Sequence, residues 1–180
     1  MEYEVRILEV ELNVVSLEEL AEEQLDLEQK ELFDLYLETK GGLQQFASPL
    51  ATDWYRQISS FYGYRKHPIT GQKQIHRGLD LAVPEGSPIY ATHTGVVTTA
   101  AYHNSYGNYV VITDENGFLT KYAHLSRLYV AEGEEVEQGS VIGEAGSTGN
   151  STGSHLHLEV MKDGVYYNPI FYFAEGESLP

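Results

Sequence analysis

Residues 47–180 consist of short β-favouring runs, each followed by Gly, Pro, Asn or another turn-forming residue. The runs include LDLAV, VVTTAAY, YVVIT, FLTKYA and HLHLEV. Short runs with frequent turn residues between them are typical of strands joined by tight connections. The segments DENG and MKDG, each flanked by apolar residues, are the clearest hairpin turns. The pattern therefore predicts a mainly β domain built on an antiparallel sheet.

Residues 1–46 differ in composition from the rest of the chain. They hold 13 Asp and Glu against 3 Lys and Arg, a net −10, whereas residues 47–180 hold 14 against 8, a net −6. The run YEVRILEVELNVVS predicts a strand, and Ser16 with Glu19 forms a capping box for a helix over about residues 17–39. We therefore expect two parts, an acidic strand and helix in residues 1–46 and a β domain in residues 47–180.

Charge and cysteine content exclude several classes of partner and site. The net charge of −16 argues against nucleic acid, which is bound by clustered Lys and Arg. No apolar run approaches the roughly 18 residues that cross a bilayer, so membrane attachment would require an upstream anchor outside this sequence. The chain has no cysteine, which excludes disulfides and thiolate ligands. A metal would be held by histidine and carboxylate.

Two short motifs place histidine and carboxylate side chains in register. IHRGLDLAVP contains His76 and Asp80, and SHLHLEV contains His155 and His157. Residues an even number of positions apart on a strand share a face, so the members of each pair are expected to project together. His155 and His157 would lie about 6–7 Å apart along their strand.

These residues supply the donor set of a catalytic zinc site. His76, Asp80 and one histidine of the second pair give two nitrogens and one oxygen, with a fourth position open for water. Zinc lowers the pKa of such a water to about 7, which makes hydroxide available for attack on a carbonyl. The remaining histidine of the pair, and His124 in KYAHLS, would then move protons, orient the water or stabilise the oxyanion.

Each motif alone is a weak signal, and their combination in a cysteine-free β domain is what predicts a metal site. We expect the other histidines, His67, His93 and His103, to be loop or surface residues, with His67 held extended by Pro68. The run GSTGNSTGS lacks the lysine and the following helix of a phosphate-binding loop. It predicts a flexible loop at the mouth of the site, shaping a trough for an extended substrate.

Taken in order, the motifs FYGYRKHPITG, HRGLDLAVPEGSPIYAT, YGNYVVI, KYAHLS and GSTGNSTGSHLHLEV resemble the lysostaphin-type (LytM-like) zinc metallopeptidases, which cut bacterial peptidoglycan peptides. The resemblance covers about residues 47–173. It implies a largely antiparallel sheet whose groove holds one zinc ion, in a fold related in pattern to biotinyl and lipoyl barrels. It also implies a peptidoglycan cross-link or stem peptide as substrate, and an extracellular or cell-wall location.

The resemblance assigns a role to each candidate residue. His76, Asp80 and His157 match the zinc ligands of the family. His155 matches its catalytic histidine, the expected general base, and His124 matches the histidine of its YAHL segment, which helps to bind the water and the developing oxyanion. All five positions are filled, which argues against a catalytically inactive member.

The alternative to a peptidase is that the β domain is a non-catalytic binding module. The segment VAEGEEVEQGSVIGEAG also resembles half of a biotinyl or lipoyl carrier barrel, but it holds no lysine for modification. A domain of the peptidase fold could instead bind the cell wall or activate other hydrolases without catalysis, although such members typically lose ligands.

Three questions stay open at the level of sequence. Glycyl bridges and direct cross-links from D-Ala to a diamino acid are both cut within the family, and the residues do not choose between them. Residues 1–46 lie outside the resemblance, and Asn13 in this segment is a candidate for occupying the open zinc position in a latent form. Oligomeric state is not predicted.

Overall fold

The domain is a mainly antiparallel β structure, and a computed structural model describes residues 46–66 and 73–172 of it. The β prediction is confirmed. The predicted strand and helix of the N-terminal segment lie outside the described residues, as do Asn13 and His67. Within the described ranges, no helix has the length and apolar character needed to cross a membrane.

The described residues form thirteen strands, with a 3-10 turn at each end of the series (Trp54–Gln57 and Pro169–Tyr172). The strands are β1 (Ile58–Ser60), β2 (Gly63–Lys66), β3 (Lys73–His76), β4 (Leu79–Ala82), β5 (Pro88–Tyr90), β6 (Gly95–His103), β7 (Gly107–Thr113), β8 (Phe118–Leu125), β9 (Arg127–Leu128), β10 (Glu135–Val136), β11 (Val141–Glu144), β12 (His155–Lys162) and β13 (Val165–Tyr167).

The main sheet has eight strands, with β12 near its centre. Its order is β1-β4-β12-β8-β7-β6-β10, and β13 pairs with the end of β12 that lies beyond β4. A three-stranded sheet, β5-β11-β9, and the hairpin β2-β3 complete the described part. Strand β12 therefore lies between β4, which carries Asp80, and β8, which carries His124.

Both predicted hairpin turns are present. DENG joins β7 to β8, and Asp114 Oδ1 accepts the backbone N–H groups of Asn116 and Phe118, each at 2.8 Å. MKDG joins β12 to β13 through Asp163 and Gly164, whose φ angles are 52° and 79°. Two successive residues in the left-handed region are what a tight two-residue hairpin requires.

Alternation along β12 separates the core from the site. Leu156 and Leu158 are fully buried and lie opposite Leu81 and Leu79 on β4. Because successive side chains of a strand point to opposite faces, the histidines of β12 share the other face. The hydrophobic core thus lies behind the polar face that carries the candidate site residues.

A cluster around Phe46 joins the two ends of the described domain. The Phe46 side chain is 1% exposed, and its ring stacks on Tyr172 with 5.3 Å between centroids. Its backbone N–H also donates to the Tyr172 carbonyl at 2.7 Å. The sequence-based division assigns Phe46 to the N-terminal segment, whereas its side chain packs inside the β domain.

The expectation that His93 is a loop or surface residue holds for the loop but not for the surface. His93 lies in the segment between β5 and β6, but its side chain is 0% exposed. Its Nδ1–H donates to the Thr94 carbonyl at 3.0 Å, and its Nε2 accepts from the Thr120 hydroxyl. Burial lowers the pKa of His93, and a neutral imidazole with both nitrogens bonded is stable in the core. His103 is exposed, as expected.

We expect Phe46→Ala to lower the free energy of unfolding by about 3–5 kcal/mol, because it leaves a cavity beside Tyr172 and His93. Urea denaturation followed by the fluorescence of Trp54 measures the change. The matched control is Phe61→Ala, since Phe61 is 51% exposed, and it should cost about 1 kcal/mol or less. Equal losses in the two variants would contradict the core position of Phe46.

Candidate metal centre

A polar cavity of about 190 Å³ opens on the face of β12 that carries the histidines. All five predicted site residues line it. The remaining wall includes Arg65, Tyr106 and three residues of the glycine-rich loop, Asn150, Ser151 and Thr152. The structure therefore brings together every residue that the sequence singled out for this site.

Three of the lining side chains place their donor atoms close together. Asp80 Oδ1 lies 2.7 Å from His157 Nδ1 and 3.1 Å from His76 Nε2, and these two nitrogens are 3.2 Å apart. In a tetrahedral zinc site with bonds of 2.0–2.1 Å, two ligand atoms are separated by about 3.3 Å. Two imidazole nitrogens and one carboxylate oxygen in this arrangement fit a zinc ion.

Strand register and one close backbone contact produce this convergence. His157 on β12 pairs directly with Asp80 on β4, so the two side chains project from the same face. His76 ends β3, and the chain then turns through Gly78 into β4. A Cβ atom at Gly78 would lie 2.6 Å from the Leu158 carbonyl oxygen and 2.7 Å from the His157 ring. Glycine is therefore required for β4 to start at this point.

Hydrogen bonds on the far side of each ring determine which nitrogen faces the cavity. The Nδ1–H of His76 donates to the Phe61 carbonyl at 2.8 Å, which leaves Nε2 facing Asp80. The Nε2–H of His157 donates to Glu159 Oε1 at 3.2 Å, which leaves Nδ1 as the metal-facing atom. Partners of this kind fix the tautomer and the orientation of metal-binding histidines.

The sequence pattern did not predict a role for Glu159. Its carboxylate is nearly buried and accepts from Lys121 Nζ at 2.6 Å and from the Tyr106 hydroxyl at 3.1 Å, in addition to His157. Burial alone would raise the pKa of Glu159, but the bonds from His157 and Lys121 lower it, so the group is ionised. The available signal was its position two residues after His157, which puts both side chains on one face.

Asp80 is also held in its charged form. Burial would raise the pKa of Asp80, but its hydrogen bonds with His157 and His76 outweigh that effect and keep the pKa well below its usual range. Its second oxygen, Oδ2, accepts from Arg65 Nη1 at 3.3 Å. A deprotonated carboxylate is the form that binds a metal.

His155 and His124 lie beside the three converging donors. His155 Nε2 is 3.8 Å from Asp80 Oδ1, and its Nδ1–H donates to the Gly153 carbonyl at 2.8 Å. The His124 ring is 4.6 Å from the His155 ring, and its Nδ1–H donates to the Thr148 carbonyl at 2.8 Å. In both rings, Nε2 is the atom left for chemistry in the cavity.

His124 reaches the cavity through a break in strand alternation. Ala123 pairs with His157 and shares its face, so the next residue of a regular strand would face the core. His124 instead has φ 63°, and the pairing of β7 with β8 shifts register here, which turns its side chain back to the site. Burial, assisted by the neighbouring His155, lowers the pKa of His124 to about 4, so the ring is neutral near pH 7.

The glycine-rich loop lines the cavity, in agreement with its predicted place at the mouth of the site. Thr148 Oγ1 accepts the backbone N–H of Asn108 at 3.0 Å and donates to the Leu125 carbonyl at 2.7 Å. These bonds tie the base of the loop to β7 and β8. The same loop thus positions His124, through the Thr148 carbonyl, and forms part of the wall.

Comparison with known proteins identifies a family. Peptidase family M23 matches residues 74–169, which include all five predicted site residues. The peptidoglycan DD-endopeptidase ShyC of Vibrio cholerae is 48% identical over 122 residues, which are 68% of this chain and 28% of that relative. This chain therefore spans less than a third of the length of that relative.

Solved structures show the same relationship. A zinc-containing peptidase from Vibrio cholerae has a TM-score of 0.63 at 36% identity, over 73% of this chain and 41% of that one. The catalytic domain of lysostaphin from Staphylococcus simulans has a TM-score of 0.59 at 30% identity, over 65% of this chain and 92% of that one. The resemblance to lysostaphin-type peptidases is confirmed. Because residues 74–169 make up more than half of the 180 residues, the chain belongs to peptidase family M23.

Proposed function

We propose that this chain is a zinc-dependent endopeptidase that hydrolyses peptide bonds in bacterial peptidoglycan. The observation that carries the proposal is the convergence of His76 Nε2, Asp80 Oδ1 and His157 Nδ1 in a cavity that His124 and His155 also line. Membership of family M23 and the similarity to a peptidoglycan DD-endopeptidase support it. A cell-wall substrate implies action outside the cytoplasmic membrane.

The three converging residues would hold one zinc ion. Zinc, when bound, supplies a Lewis acid that polarises a peptide carbonyl and makes water nucleophilic near neutral pH. The charged form of Asp80 supplies one lone pair, and the hydrogen bonds of His76 to Phe61 and of His157 to Glu159 direct Nε2 and Nδ1 towards that ion. Burial lowers the pKa of His157, but its hydrogen bonds to Asp80 and Glu159 outweigh that effect and raise it, so zinc would displace the Nδ1 proton that His157 donates to Asp80.

His155 is the proposed general base. Its Nδ1–H is bonded to the Gly153 carbonyl, so Nε2 carries the lone pair that can accept a proton. This nitrogen lies 3.8 Å from Asp80 Oδ1, on the cavity side of the ring. The side chain is 17% exposed, which lets the proton exchange with solvent after the reaction.

The tautomer of His124 distinguishes between its two predicted roles. The neutral ring donates through Nδ1–H to the Thr148 carbonyl, so its Nε2 is a hydrogen-bond acceptor. An acceptor can bind and orient the attacking water, whereas stabilising an oxyanion requires a donor. We therefore assign His124 to orientation of the water, with a contribution to the oxyanion after it gains a proton.

A non-catalytic wall-binding or hydrolase-activating module of the same fold is the alternative. A module of that kind does not need a general base beside the converging donors. Here His155 and His124 are both present, and both present Nε2 to the cavity. This complete set favours catalysis.

The division of the chain at residue 46, and the latency assigned to Asn13, remain proposals. Removal of the N-terminal segment tests latency, because a latent enzyme would digest cell wall faster without it. The truncated chain should begin before Phe46, since that side chain packs in the β domain. An unchanged rate would exclude latency.

Substitution should separate metal binding from proton transfer. His157→Ala or Asp80→Ala removes a donor and should lose both zinc and hydrolysis. His155→Ala should keep about one zinc ion per chain yet lose hydrolysis by about 100-fold or more. Metal analysis by mass spectrometry gives the zinc content, and mass spectrometry of peptides released from peptidoglycan gives the rate.

The control for these variants is the wild-type protein, treated with a chelator and then reloaded. Chelation should abolish hydrolysis, and added zinc should restore it. Full activity in His155→Ala would contradict the role of the general base, and hydrolysis by the zinc-free protein would contradict the proposal as a whole.

Glu159→Gln should weaken zinc binding about 10- to 100-fold, because it removes the charge that orients His157 and raises the basicity of its ring. Competition with a chromogenic chelator measures the affinity, at a temperature where unfolding curves show the protein folded. Glu115→Gln, at an exposed position in the β7–β8 turn, is the matched control and should bind zinc as the wild type does. Equal affinities in the two variants would exclude this role for Glu159.

A further inference from the structure

Arg65 is the one Lys or Arg among the described residues that line the cavity. It lies on β2, and its side chain is 37% exposed. Nη1 donates to the Ser60 hydroxyl and to Asp80 Oδ2, the latter at 3.3 Å. The positive charge is therefore held at the edge of the metal centre, and part of it faces the open cavity.

The guanidinium of Arg65 has unused hydrogen-bonding capacity. Both of its recorded bonds use Nη1, so Nε and Nη2 have no partner within residues 46–66 and 73–172. These two nitrogens form one edge of the planar fork, the geometry that binds a carboxylate through two parallel hydrogen bonds. The cavity thus offers a site for an anionic group of the substrate.

We propose that Arg65 binds a substrate carboxylate next to the scissile bond, and that the chain therefore cuts direct cross-links rather than glycyl bridges. This inference rests on the proposed function. In a direct cross-link from D-Ala to a diamino acid with two carboxyl groups, such as diaminopimelate, the carbon that bears the scissile nitrogen also carries a carboxylate. Within a glycyl bridge, the carboxyl group of each internal glycine is part of the next peptide bond, so the corresponding charge is absent.

The distance between the carboxylate and the attacked carbonyl in the substrate is compatible with the position of Arg65 beside the metal centre. A carboxylate on the carbon next to the scissile nitrogen lies within about 4 Å of the attacked carbonyl carbon, as bond lengths require. Arg65 contacts one oxygen of Asp80, and the other oxygen of Asp80 is one of the three converging donors. The Asp80 carboxylate is thus the single group between the Arg65 guanidinium and the metal centre where the carbonyl would be attacked.

The electrostatics of the cavity also favour this role. The chain carries a net charge of −16, and the loop residues that line the cavity, Asn150, Ser151 and Thr152, are uncharged. Apart from a bound zinc ion, Arg65 would therefore be the one permanent positive charge that an anionic substrate meets among the described residues of the cavity wall. Arg65 supplies that charge at the rim, where the guanidinium remains open to solvent.

A purely structural role for Arg65 predicts a different outcome. If Arg65 acted solely as the partner of Asp80, its removal would slow cleavage of every substrate equally or would reduce zinc content. Carboxylate recognition predicts a loss confined to substrates that carry the charge. A pair of substrates that differ in this one group therefore separates the two roles.

The experiment uses two branched peptides in which D-Ala is joined to the D-centre amine of a meso-diamino acid, with the carboxyl group of that centre either free or amidated. We expect the wild type to cleave the free-acid peptide with a kcat/KM about 10- to 100-fold higher than the amidated one. Arg65→Gln should reduce this ratio to near one through a higher KM for the free acid. Arg65→Lys, which keeps the charge and loses the fork, should be intermediate.

Control variants and measurements test whether the effect is specific to the arginine that lines the cavity. Arg56→Gln changes an arginine that is 71% exposed and does not line the cavity, and it should keep the wild-type ratio. Zinc content and unfolding curves of each variant establish equal loading and folding. A pentaglycine-bridged peptide, included as a third substrate, should be cleaved poorly by the wild type.

Three outcomes would overturn the assignment. They are equal rates of the wild type on the two branched peptides, an equal loss on both peptides in Arg65→Gln at full zinc content, and a preference of the wild type for the pentaglycine bridge. Failure of the zinc-loaded wild type to cleave any of the three peptides would instead count against the proposed peptidase function, and the assignment of Arg65 would fall with it.

Discussion

The candidate site depends on the pairing of His157 with Asp80 across β12 and β4. The backbone ladder places the two side chains on one face, and their hydrogen bond offsets the cost of burying a carboxylate. On the opposite face, Leu156 and Leu158 pack in the core. A slip of one residue would bury the histidines in that core and expose the leucines, so hydrophobic packing fixes the register of the polar face.

A second layer of contacts holds the donors in place. The Phe61 carbonyl and the Glu159 carboxylate each receive an N–H from a donor histidine, and Lys121 with Tyr106 holds Glu159. Such a network satisfies buried polar groups and limits the movement of the rings that they bond. The charge on Lys121 also balances Glu159, so the layer adds no net charge to a buried region.

Local patterns gave the β architecture, both hairpin turns and the five residues of the site, because alternation and turn chemistry act over short stretches of chain. The remaining features depend on contacts between distant segments. His93 is buried because Thr120 on another strand satisfies its ring, and Phe46 is buried because Tyr172 lies across the domain. The turn of His124 towards the cavity follows from a local shift of register, for which KYAHLS carries no residue-level signal.

The close approach of Gly78 to the His157 ring makes position 78 part of the metal centre although it has no side chain. A Cβ atom there would lie 2.7 Å from Cε1 and 2.8 Å from Nε2 of the ring. Any larger residue would have to displace the imidazole or its strand, and with them the pairing of His157 with Asp80. Metal affinity is consequently sensitive to a residue that cannot itself bind metal.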